Sequence, residues 1–139
     1  MSTTKETDET EFKILIQKIK DEINKLTKYR KEHADTYGEV FTEFYLIEEH
    51  VSNIDPELFK DPTSTFLDPC AGFGSYSIVL IEKLMEGLKD WEPNPEKRWK
   101  HILENQIFMV ELQKDSCEII ERLLIHQESI NWIYIINRF

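Results

Sequence analysis

Cysteine is scarce: Cys70 and Cys117 are the only two, far apart and in no C-x-x-C pair. They suggest neither a zinc site nor a disulfide framework, and both read as reduced thiols. No apolar run approaches the length of a membrane span. The opening MSTTKETDETEF is too polar and acidic for a signal peptide or a transit sequence. These absences point to a cytoplasmic protein with no membrane association. Positive charge is also short, with 17 Lys and Arg against 27 Asp and Glu, a formal net charge of −10. Nucleic-acid binding draws most of its affinity from Lys and Arg neutralising phosphates, so this chain alone is a poor DNA binder. Internal repeats and low-complexity tracts are missing as well.

What is present suits one globular domain: 40% of the residues are hydrophobic and 12% aromatic over 139 positions. After a polar start at residues 1–7, read as disordered, Asp8 and Glu11 have capping-box spacing and open a helix to about His33. Phe12, Ile16, Ile19, Ile23 and Leu26 alternate four and three apart, one continuous stripe that must be buried on its own domain, on a second copy or on a partner subunit. Thr42 is placed as the N-cap of a second helix through Phe44, Ile47, Val51 and Ile54. Asp61-Pro62 breaks the chain before a β-prone run at residues 65–67. A third helix then buries Ile78, Ile81, Met85 and Leu88, with Leu80 and Leu84 beside them. Asn94-Pro95 reads as the cap and first residue of a short helix through Trp99 and Leu103. Residues 106–111 are the next strand, and Asp115 with Glu118 opens a helix through Ile119, Ile120, Leu123 and Leu124. Residues 130–136, INWIYII, form a last β-prone run. Strand, helix, strand, helix, strand predicts an α/β domain with a parallel sheet.

The segment that carries chemistry is the strand FLDP turning through CAGFGS into a helix. Gly72 and Gly74 allow a tight turn and close approach of a ligand, at the strand end where open α/β sheets bind theirs. A dinucleotide fingerprint needs a third glycine where Ser77 stands, and no Gly-Lys-Ser/Thr offers a P-loop. Asp68, just before the turn, suits a ligand with a cationic part, such as a nucleoside bearing an ammonium and a sulfonium. Glu111, at the end of the next strand, is placed to accept hydrogen bonds from ribose hydroxyls. No residue set suggests a metal site.

The chain resembles the adenine-specific DNA N6-methyltransferases of restriction-modification systems. Tyr37-Gly38-Glu39-Val40-Phe41-Thr42 is similar to their G-E-V-F-T-P segment, Leu67-Asp68-Pro69-Cys70-Ala71-Gly72-Phe73-Gly74 to their D-P-x-x-G-x-G loop, and Met109-Val110-Glu111-Leu112 to their acidic ribose-binding strand end. The likeness covers about residues 37–124. It implies a Rossmann-like class I methyltransferase fold, with a truncated parallel sheet in residues 37–139 behind an N-terminal helical extension, residues 1–36. It implies S-adenosyl-L-methionine as cofactor: Phe41 and Thr42 over the methionine end, Asp68, Pro69, Gly72 and Gly74 shaping the pocket, Glu111 on the ribose and Leu112 against the adenine.

Two departures limit what the resemblance implies. The family's proline after the threonine is Glu43 here, whose charge would face the methionine carboxylate. No Asn/Asp-Pro-Pro-aromatic tetrapeptide exists to hold a flipped adenine, so no catalytic residue is assigned. Residues 125–139 also depart, offering only Glu128 as an acidic residue. The expectation is therefore the cofactor half of a DNA adenine methyltransferase, inactive alone. DNA would be met only through a separate portion, and a second polypeptide or a homodimer would form through the N-terminal helix. The alternatives are a non-catalytic module that binds cofactor or a partner, and a fragment of an RNA or small-molecule methyltransferase.

Overall fold

The structure is a computed structural model and describes residues 3–33 and 41–124, with side chains from Glu9 onward. The alternating apolar stripe does form one long helix, α1 (Thr3–His33). It begins ahead of Asp8, because no proline or glycine in residues 3–7 interrupts it. Phe12, Ile16, Ile19 and Ile23 are buried in the same core as the helices that follow, and the Phe12 ring lies 5.4 Å from that of Trp99. Removing such side chains from water contributes about 1.5–3 kcal/mol each. Two buried cations among the described residues tie α1 down. Arg98, wholly buried, donates to Glu9 from both terminal nitrogens and to the Met85, Glu92 and Pro93 carbonyls. Lys20 Nζ reaches Glu82 at 2.9 Å and Glu48 at 3.5 Å.

Helix α2 (Phe44–Ser52) is capped by Glu43 rather than Thr42: the Glu43 carbonyl accepts from Leu46 and Ile47, and no side chain caps the end. A 3-10 helix, Pro56–Lys60, follows unannounced by periodicity, set by Asp55 accepting from the Glu57 N–H and by proline at its first position. The break at Asp61-Pro62 is a turn in which Asp61 accepts from the Thr63 N–H and hydroxyl. Strand β1 (Phe66–Asp68) leads through the glycine turn into α3 (Ser75–Gly87). Helix α4 (Pro95–Asn105) starts as expected, with the Asn94 side chain accepting from the Lys97 N–H at 3.0 Å. Strand β2 (Ile107–Met109) and α5 (Lys114–Leu124) complete the described chain. The strands are parallel, with Phe66 beside Ile107, Leu67 beside Phe108 and Asp68 beside Met109.

This architecture corrects the expected α/β, Rossmann-like class I methyltransferase fold. Among the described residues the sheet has two strands of three residues each and is open, while the molecule is mostly helix. The reason lies in where the apolar residues fall. Ile23, Ile47, Ile78, Ile81, Leu84, Trp99, Ile102 and Leu103 are sealed on helices, against Ile107 and Met109 on a strand. The chain leaves β1 at Pro69 and turns at once through Gly72 and Gly74. The last β-prone run, residues 130–136, lies outside the described residues, as do residues 34–40 with the first four positions of the Tyr37–Thr42 motif. No described helix is long and apolar enough to cross a membrane.

Candidate ligand cleft

The glycine turn and the end of β2 are knitted together by main-chain bonds. Val110 donates to the Asp68 carbonyl at 2.9 Å, Ala71 to the Val110 carbonyl at 3.0 Å and Gly74 to the Ala71 carbonyl at 2.8 Å. Gly72 and Gly74 both have positive φ, +57° and +88°, as the tightness of the turn requires. A Cβ on Gly72 would meet nothing within 4 Å, so backbone conformation and not crowding selects glycine there.

Glu111 is the hinge of the site. One carboxylate oxygen accepts from the Gly72 N–H at 2.6 Å and the other from the Gln113 N–H at 3.0 Å, clasping the turn to the start of α5. Gln113 in turn accepts from Arg30 at 3.0 Å, and Arg30 pairs with Asp115 at 2.7 Å. The Arg30 guanidinium also lies 4.9 Å above the Phe73 ring, which stacks on Phe41 at 5.5 Å. The C-terminal end of α1 thus leans over the turn. A cleft of about 210 Å³ opens beside Glu111, lined by Phe41, Thr42, Gly72, Ser75 and Tyr76. Phe41, Thr42 and Ser75 also border a second hollow of about 400 Å³ against α1.

Of the residues expected to make a site, Phe41, Thr42, Gly72 and Glu111 are brought together. Asp68 and Pro69 instead border a different groove, outside β1. Asp68 is buried and accepts from the Ser77 hydroxyl at 3.0 Å. Burial pushes its carboxyl above the ordinary range; hydrogen bonds from Ser77 and the Cys70 N–H oppose this, and the Glu111 charge adds to it. Gly74 is buried beneath the turn as the N-cap of α3. Leu112 is 72% exposed. Sequence reasoning missed Ser75, Tyr76 and Gln113, although Ser75 follows Gly74 directly. Arg30 had no local signal, since only the fold brings it near α5.

The methyltransferase reading is corrected by the same geometry. Among the described residues the sheet is two-stranded and open and gives no nucleotide-binding crevice between strand ends. S-adenosyl-L-methionine as cofactor, methyl transfer to adenine as activity and restriction-modification as setting therefore fall with the fold. No protein-family model matches the chain, and no curated protein matches it.

Proposed function

We propose that this chain is a binding module for a small molecule carrying a cationic or hydroxyl donor beside a flat apolar part. The observation that supports this is Glu111, a half-buried carboxylate beside a cleft that is also lined by Thr42, Ser75 and the Phe41 ring. The Glu111 carboxylate beside the cleft disfavours an anion there, against the pull of Arg30, which donates to the cleft-lining Gln113. The cleft's 210 Å³ is below the roughly 300 Å³ at which drug-sized sites begin, which favours a compact ligand. In this reading Phe41, Thr42, Gly72 and Glu111 touch the ligand, Asp68, Pro69 and Gly74 shape the turn, and Leu112 flanks it. Reduced Cys70 and Cys117 suit a cytoplasmic setting.

The test compares tyramine with 4-hydroxyphenylacetate, the same ring with opposite charge, by following main-chain amide resonances. Tyramine is expected to shift the Gly72 and Gln113 amides saturably, and Glu111→Gln to weaken that response by about tenfold, as for loss of a charge-assisted contact. Equal responses to amine and acid, or none to either at millimolar concentration, would refute the assignment.

A further inference from the structure

The groove outside β1 differs from the ligand cleft in kind. It holds about 560 Å³ between α2 and α3 and is floored by Val51, Ile54, Phe66, Leu67 and Leu80. Main-chain pairing to β2 uses Phe66, whose N–H donates to the Gln106 carbonyl at 2.7 Å, and Asp68, whose carbonyl accepts from Val110. Alternation along a strand then turns the N–H and carbonyl of Leu67 toward the edge that no described strand pairs with, over this groove. The Leu67 side chain is 60% exposed. A strand in a parallel sheet is ordinarily covered, and an uncovered edge over apolar ground is a template for one more strand.

We propose that an extended segment of a second polypeptide adds to the edge of β1 that no described strand pairs with, with apolar side chains in the groove and basic residues at its flanks. Charge selects this occupant. Exposed Glu49 and Asp55 adjoin the groove-lining His50 and Ile54, and exposed Glu57 and Asp61 stand on and just after the 3-10 helix, against Lys60, which pairs with Glu57 at 3.4 Å. Asp61 is held below its ordinary range by the Thr63 hydroxyl and N–H, so it stays ionised. A second copy of this chain would bring the same acidic residues and another −10 charges to the edge, and like charges oppose that pairing. A helix in the groove would leave the Leu67 main-chain groups unanswered, whereas a strand satisfies them and reads its side chains in alternate pockets.

The experiment uses the full chain and a short synthetic peptide of alternating valine, threonine and isoleucine with paired lysines at each end. Hydrogen exchange at the Leu67 amide and fluorescence anisotropy are read together. Saturable binding is expected, with Leu67 exchange slowed by about tenfold or more. Affinity should fall about tenfold for the same peptide flanked by glutamates, and likewise for Leu67→Pro, which removes the outward N–H without touching the bonds to β2. Should Leu67→Pro not fold, the exchange measurement on the unaltered chain decides. Three results would overturn the proposal: Leu67 already protected in the free chain, a self-dimer whose formation protects it, or peptide binding that leaves its exchange unchanged.

Discussion

At the scale of single residues, Asp68 shows how a side chain can be recognised as special for an incomplete reason. Its position before a glycine turn drew attention to it as a ligand contact, yet it is turned to Ser77 and its carboxyl is raised above the ordinary 3.8 mainly by burial. A raised carboxyl in the folded state contributes stability that is fully present below the unfolded value and is lost as pH climbs through the folded value. Asp68→Asn keeps an acceptor for the Ser77 hydroxyl and removes that loss. Urea unfolding from about pH 3 to pH 7 should show the variant gaining on the parent chain as pH rises. A constant difference, or one moving the other way, would contradict the burial of this carboxyl. What the sequence made legible here was that Gly72 and Gly74 sit in a left-handed turn. That Glu111 would clasp the Gly72 N–H was not legible, because residues 39 positions apart meet only through the fold.

Among the elements, the helical ones were legible and the short ones were not. The spacing of Ile78, Ile81, Met85 and Leu88 names the buried face of α3, and Asn94-Pro95 marks the start of α4, because periodicity and caps are local. Both strands were placed near the right residues, but three laddered residues apiece carry too little pattern to distinguish a full sheet from a ribbon between helices. The 3-10 helix leaves a trace elsewhere. A Cβ on Gly87 would lie 2.2 Å from the Phe59 carbonyl oxygen and 2.7 Å from its carbon, so the end of α3 is glycine to let this segment cross it. Alanine is the better helix former by about 1 kcal/mol, yet main chain cannot move aside cheaply, and overpacking costs about 1–3 kcal/mol. Gly87→Ala is therefore expected to lower the denaturation midpoint. A midpoint unchanged or raised would mean that the crossing is loose.

For the molecule as a whole, the charge balance read from composition keeps its force whatever the fold. Ten uncompensated negative charges repel one another across a surface of 8754 Å², and added salt screens that repulsion. Salt also weakens exposed pairs such as Lys60 with Glu57 and Lys31 with Glu43, but each is worth at most about 1 kcal/mol. Self-repulsion should prevail, so thermal melting is expected to rise by a few degrees between low salt and about 0.2 M sodium chloride. A fall would show that local pairs outweigh the global field. The fold class itself was not legible, since a strand-helix-strand order is shared by large sheets and by helical molecules with a small parallel ribbon.

Arg98 gives the assembled chain a property of another sort. Trypsin cuts after arginine, but a guanidinium with no exposure, held by Glu9 and three carbonyls, offers the protease nothing to grip. The bond after it lies inside α4 and opens to cleavage only when α4 itself unwinds from α3 and the preceding loop, so the first appearance of that fragment times the opening of α4. Exposed lysines would be cut without any such event.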